Sequence, residues 1–371
     1  MKDNRLIESN KKSTVFLTGA TGLVGSYLLK TLLKYGYRVS VLARSKNKKN
    51  AEERVFDMLA FWNRGHFRKT SNLEILEGDI TKDNFGINEQ DFVKLKEETE
   101  EIIHCAAITS YKWPLEDIRN TNILGTKRIL DFALQCKKNG NFKKVNHIST
   151  AYVCGDFTGT FKENDLDVGQ KFNNPYEQSK FDTEKLIQEY RKNTDLWIDI
   201  IRPCAVVGES TSGKINSFYF NFYRVLHIWS LEVFDFFPGK GYFINIVPVD
   251  ELAESIVTII GKNTEKNKNF HTFRNMRLPL EQIMDAFYEF TRYKMPMPVT
   301  ITEFSKKNSS AVQKKLIDSI FGPFNGYVIL DSSKTEEFLK EHNFNYSEID
   351  QKLLFTLFEY FTKIHIPWKG A

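Results

Sequence analysis

Residues 18–25 read Thr-Gly-Ala-Thr-Gly-Leu-Val-Gly, and no other stretch restricts the fold of this 371-residue chain as strongly. Its glycines, Gly19, Gly22 and Gly25, follow the apolar run Thr14-Val15-Phe16-Leu17 and precede Leu28-Leu29-Lys30-Thr31-Leu32-Leu33. A strand, a glycine turn and a helix in that order open a dinucleotide-binding βαβ unit. Gly19 takes the turn, Gly22 lets backbone N–H groups approach a pyrophosphate, and Gly25 lets the helix pack closely on the strand. Thr21, Leu23 and Val24 complete the phosphate-facing set.

Strands and helical periods then alternate, which predicts an α/β fold with a Rossmann-like, doubly wound parallel sheet. The second strand, Gly36 to Arg44, ends in a guanidinium where an NAD site would carry an acid on the ribose, so Arg44 predicts NADP(H). Ala51 to Arg68 has helical spacing. A third strand, Leu73 to Gly78, runs into Asp79, placed to accept from an adenine amino group, and Ile80, placed to pack on the ring. The fourth, Ile102 to Ala107, ends in small residues, and Ala106 leaves room for a flat ligand. Within it, His104 reads as a hydrogen-bonded core histidine. Asn120 to Thr126 opens the next helix, where Asn122 either holds a water for proton relay or serves as a buried structural amide.

Val145-Asn146-His147-Ile148, the fifth strand, delivers Ser149 and Thr150 to its C-terminal end, where open parallel sheets bind ligands. Asn174 reads as a helix N-cap and Pro175 as the first helical position. Tyr176 and Lys180 then share a face at separation i, i+4, and an ammonium beside a phenol lowers the phenol pKa toward neutrality. A sixth strand, Trp197 to Ile201, runs into Arg202-Pro203, with Pro203 at the nicotinamide end.

The glycine turn, Ser149-Thr150, Tyr176 with Lys180, and Arg202-Pro203 resemble the extended short-chain dehydrogenases/reductases over residues 13–260. Within that family, His147 to Val153, Asn174 to Lys180, and Ile246-Val247-Pro248-Val249-Asp250 are similar to the thioester reductase and fatty acyl-CoA reductase branch. The resemblance implies Thr150 at the catalytic hydroxyl position, Tyr176 as acid and Lys180 as its partner, both also binding the cofactor. It further implies NADPH-dependent reduction of an acyl thioester, borne by CoA or a carrier protein, to aldehyde or alcohol. Residues 13–260 are expected to form the NADP-binding domain, with a substrate loop at Gly208 to Gly213 inside a lid insertion over 206–245. Residues 261–371 are expected to form a mainly helical substrate region.

A nucleotide-sugar epimerase, dehydratase or reductase on the same scaffold is the rival reading; it needs a basic, polar grip for the diphosphate after Arg202, where only the scattered Arg224, Arg274 and Arg277 are available. A scaffold protein without turnover is a third, although such proteins usually lose the Tyr or the Lys. The aromatic run Phe218, Tyr219, Phe220, Phe222, Tyr223, Trp229, Phe234, Phe236 and Phe237 is either core packing or an acyl channel. The formal charge is +5, with lysines scattered as solvated faces, which argues against nucleic-acid binding. Cys105, Cys136, Cys154 and Cys204 lack metal spacing and read as thiols in a reducing compartment. Met1 to Lys12 is too charged for a secretory signal, and Phe218 to Phe237 too polar to span a bilayer, so a cytoplasmic protein without metal is expected.

Overall fold

A computed structural model describes residues 12–365 apart from 64, 66–68, 112, 219–220, 308–309, 311–312, 314–315 and 318–327. The N-terminal stretch before Lys12, Arg68, Tyr219 and Phe220 therefore lie outside the described residues.

Seven strands form the central sheet: β1 (Thr14–Thr18), β2 (Arg38–Ala43), β3 (Leu73–Glu77), β4 (Glu101–His104), β5 (Lys144–Ile148), β6 (Ile198–Arg202) and β7 (Asn269–His271). All pairs are parallel, in the order β7-β6-β5-β4-β1-β2-β3. Every residue of β1 is buried, as expected for a strand covered on both faces. Alternation then divides it: Val15 and Leu17 join one core and Phe16 the other.

Ten helices are named here: α1 (Leu23–Lys34), α2 (Ala51–Trp62), α3 (Glu89–Glu98), α4 (Gly125–Lys137), α5 (Pro175–Asn193), α6 (Asn221–Ser230), α7 (Val249–Lys262), α8 (Leu280–Thr291), α9 (Ser333–Glu341) and α10 (Gln351–His365). The helix expected to open at Asn120 begins earlier, at Leu115, and passes through a π turn over Asn120–Leu124 before α4. The sheet extends past the expected boundary at 260, since β7 pairs with β6.

The chain winds outward from β1 in one direction through β2 and β3, and from β4 in the other. Their C-terminal tips are therefore the topological switch point, where a doubly wound sheet binds its ligand. The C-terminal helices share the larger core: Phe287 of α8 and Leu357, Phe358 and Phe361 of α10 are buried with Leu28 of α1 and Trp229 of α6.

Candidate functional site

The glycine loop is fastened to the β4 tip. Thr18 Oγ1 lies 2.7 Å from His104 Nδ1 and accepts the Ala106 N–H at 3.3 Å. Gly19 has φ +80°, and a Cβ there would stand 2.6 Å from the Ala106 nitrogen; at Gly25 it would stand 2.2 Å from the Gly19 carbonyl oxygen. Both positions exclude any side chain. Gly22 differs, because the nearest atom to a Cβ there is Gly19 O at 3.4 Å. The chain's own packing does not demand glycine at that point, and the bare backbone is open to close approach of a ligand. The N-cap residue of α1, Gly22, offers no side-chain cap, which leaves the positive end of the helix dipole for an anion. Thr21, Gly22, Leu23, Val24 and Gly25 thus fit a dinucleotide diphosphate.

Two guanidiniums stand beside this loop. Arg44 is half exposed, and its Nη1 donates to Asp79 Oδ2 at 3.4 Å. Arg54, on α2, donates through Nη2 to Thr21 Oγ1 at 3.1 Å and through Nη1 to the Arg44 carbonyl. Burial, and then the neighbouring Arg44 charge, pull the Arg54 pKa down. Sequence reasoning missed Arg54 among the charges of a solvated helix face. One signal was available: Asn50 caps α2, with Glu52 and Glu53 beside it, so Arg54 puts a cation into a first turn that favours acids. Asp79 Oδ1 accepts from Thr81 N and Oγ1, both at 2.9 Å. Burial raises the Asp79 pKa, but those bonds and Arg44 outweigh it and hold the carboxyl below its usual range. Ile80 is buried, and a Cβ on Gly125 would touch its side chain at 2.8 Å.

At the other end of the cleft Asn174 caps α5, accepting the Glu177 N–H at 2.9 Å, and Pro175 takes the first helical position. Tyr176 and Lys180 follow on the face turned to the β5 tip. Thr150 Oγ1 accepts the Tyr152 N–H at 3.3 Å and donates to Pro203 O at 3.5 Å, with the Tyr176 phenol beside it. Ser149 points the opposite way, donating to Glu184 Oε1 at 2.5 Å inside a buried cluster with Arg202. The two adjacent hydroxyls are thereby separated, and only Thr150 faces the site. Pro203 accepts the Ala151 N–H at 2.9 Å, closing the site floor.

The phenol is a correction to the sequence reading. Burial, and then Tyr111, whose ring centroid is 5.9 Å away, push the Tyr176 pKa well above its ordinary value, opposed by the Thr150 bond. Lys180 is engaged elsewhere. Its Nζ donates to Ile148 O at 2.7 Å and to His147 Nε2 at 3.2 Å, and burial brings its own pKa down to about 8.

Three open readings close. Asn122 is a structural amide: it accepts from Ile108 N at 2.8 Å and donates to Ile108 O at 3.0 Å and Ser179 Oγ at 2.9 Å. His104 is a core histidine held between Thr18 and Thr126, with a pKa lowered by burial to about 3. Phe222, Tyr223, Trp229, Phe234 and Phe237 are buried core residues, not a channel wall. The Gly208–Gly213 segment is no loose loop either: Glu209 accepts from Tyr27 at 2.9 Å, and Ser210 N and Oγ donate to Asp250 at 2.9 and 2.6 Å.

Fold and site together define an NAD(P)-dependent oxidoreductase of the extended short-chain dehydrogenase/reductase type. The chain belongs to the NAD-binding family described as Male sterility protein, whose model matches residues 17–256. It is similar to the nonribosomal peptide synthetase asaC of Aspergillus flavus, 30% identical over 274 residues that make up 71% of this chain and 26% of that protein. The L-2-aminoadipate reductase of Saccharomyces cerevisiae is 26% identical over 329 residues, 84% of this chain and 23% of that protein. The chain spans about a quarter of the length of these two relatives. Among solved structures, the terminal R domain from the myxalamid PKS-NRPS biosynthetic pathway matches with a TM-score of 0.81 at 23% identity, over 98% of this chain and 94% of that one. A thiolation-reductase di-domain from an archaeal non-ribosomal peptide synthetase matches with a TM-score of 0.76 at 22% identity, over 95% and 75%. Among the described residues no helix is long and apolar enough to cross a membrane, and no group of His, Cys, Asp or Glu is arranged to hold a metal ion.

Proposed function

We propose that this chain reduces an acyl thioester, presented on a carrier protein or on CoA, with NADPH as reductant. The observation that carries this reading is the Thr150–Tyr176 hydroxyl pair at the sheet's switch point, with Lys180 beneath it. Arg44 and Arg54 favour NADPH over NADH, because two guanidiniums beside the ribose end suit a 2′-phosphate. The likeness to a domain of peptide synthetases and of aminoadipate reductase supports a thioester as substrate.

The bound dinucleotide supplies the hydride; this chain's residues supply the rest. Thr150 and Tyr176 direct two hydroxyls at one substrate oxygen, and as charge develops on that oxygen Tyr176 transfers its proton to it. Preorganised donors at a developing oxyanion typically contribute about 10²–10³ each in rate. A phenol held above its ordinary pKa stays protonated at neutral pH, which suits giving a proton to an oxyanion better than taking one from an alcohol. Lys180 spends two of its three N–H donors on Ile148 and His147 and keeps one for the nicotinamide ribose. Reprotonated, the reduced carbonyl is a hemithioacetal, whose collapse releases thiol and aldehyde.

The nucleotide-sugar reading is weakened by the arginines it needs. Arg274 donates to Tyr346 O and pairs with Glu348, and Arg277 lies 4.0 Å over the Phe243 ring. NADPH oxidation followed by absorbance, with product mass, is to be compared across acyl-CoAs, acyl-carrier proteins and UDP-sugars. Turnover with thioesters and a loss of about 10²–10³ in Tyr176→Phe are expected; turnover with UDP-sugars alone overturns the reading.

A further inference from the structure

His147 sits in the middle of β5 and the reading so far gives it no task, yet its placement is costly. Both ring nitrogens are buried, and Nδ1 has no hydrogen-bond partner among the described residues. A buried polar group without a partner costs roughly 1–3 kcal/mol and calls for an explanation. The other nitrogen supplies one, since Nε2 stands 3.2 Å from Lys180 Nζ. An ammonium has donors only, so Nε2 accepts and the proton of a neutral imidazole resides on Nδ1, the nitrogen left without a partner. The environment enforces that state: burial, then the charge of Lys180, then His104 and Arg191, push the His147 pKa well down.

We infer that His147 is a positioning residue for Lys180: its unprotonated Nε2, with the Ile148 carbonyl, fixes the ammonium in the orientation that leaves its third N–H for the cofactor ribose. The inference rests on the reductase reading and deepens it. His147 is no relay, because the neighbouring His104, with its ring centroid 5.3 Å away, is committed to Thr18 and Thr126. An acceptor for an ammonium favours the charged form, so His147 also holds the Lys180 pKa up against burial. The other groups acting on Lys180 are Glu184, further along α5, and Cys105 at the β4 tip, both of which raise it; Tyr176 lies on the same helix face.

The test uses the full chain with three substitutions. His147→Gln carries an amide oxygen out to the place of Nε2, His147→Asn stops short at the place of Nδ1, and His147→Leu has no acceptor. The Lys180 pKa is read by ¹³C NMR titration of lysine ε-carbons, the resonance being assigned by its absence in Lys180→Arg. Kinetics with an acyl thioester then give kcat and KM against pH. Lys180 is expected to titrate about one pH unit lower in His147→Leu and His147→Asn than in the parent, and His147→Gln to restore it. The alkaline limb of kcat moves down by the same amount, while the thioester KM stays within about two-fold. Identical Lys180 titration in all four proteins overturns the inference, and so does a glutamine variant no better than the asparagine one. Should His147→Leu fail to fold, the glutamine and asparagine pair decides. Should the parent turn over no thioester, the reductase reading fails, and the Lys180 titration still decides the role of His147.

Discussion

The proposed preference for NADPH turns on Arg54. It is anchored at Thr21, inside the phosphate loop, whereas Arg44 is half exposed and shared with Asp79, so Arg54 is the better fixed of the two cations. Charge-assisted bonds to a phosphate contribute roughly 1.5–3 kcal/mol, or about 10- to 100-fold in binding. Arg54→Ala is accordingly expected to weaken NADPH binding by that factor, read by nicotinamide fluorescence titration, while NADH binding and kcat change little. Equal weakening of both dinucleotides would place Arg54 among the structural contacts of the loop and remove it from 2′-phosphate recognition.

At the scale of elements, α5 bears both Tyr176 and Lys180, and its first turn carries a titrating group. Glu177 is buried beside Tyr176; its Oε1 accepts from Asn174 Nδ2 at 2.8 Å and its Oε2 from Asn173 N at 3.1 Å. Burial, opposed by those bonds, raises its pKa from 4.5 to about 7. Between those values the folded chain holds a proton that the unfolded chain has lost, so this group's stabilisation is full below pH 4.5 and is lost as pH rises through 7. Relative to Glu177→Gln, the parent is expected to lose roughly 3 kcal/mol between pH 4.5 and 8, measured by urea denaturation at each pH. A constant difference between the two proteins would contradict this. The start of α5 was legible in the sequence because Asn174 and Pro175 act within their own turn, and the glycine turn because Gly25 answers to the Gly19–Ala20 backbone a few residues away and Gly19 to its own positive φ. The π turn at Asn120–Leu124 was not: Asn122 O accepts from Thr126 and Thr183, and Thr183 comes from a helix distant in sequence. The direction of the Tyr176 shift escaped for the same reason, being set by burial and by Tyr111 rather than by the lysine at i+4.

Across the whole molecule, one buried polar chain ties α5 to the C-terminal region. Arg202 and Glu184 are both fully buried and paired at 2.6 Å. Arg202 also donates to Glu163 O at 3.0 Å and stands 3.3 Å from His271 Nε2. Glu163 then accepts from Thr335 of α9 at 2.8 and 2.5 Å, and His271 Nδ1 lies 2.7 Å from Asp331 O. The short strand Val328–Leu330 pairs with Gly159–Phe161 along the same seam. Residues 261–371, expected as a mainly helical substrate region, are thus joined to the sheet by both a continuous apolar core and this chain of polar groups. Removing one member of a buried pair strands the other charge, at about 3–5 kcal/mol, whereas replacing both with apolar residues of similar size restores much of the loss. Arg202→Met is therefore expected to lower stability by about that amount, and Arg202→Met with Glu184→Met to be the more stable of the two. Because the seam joins both regions, far-UV circular dichroism and tryptophan fluorescence should report one coincident urea transition in the parent, with Trp62 in α2 and Trp229 in α6 buried in the same core. Separate transitions would mean that the C-terminal region folds by itself, and the polar seam would then be a contact between two independent units.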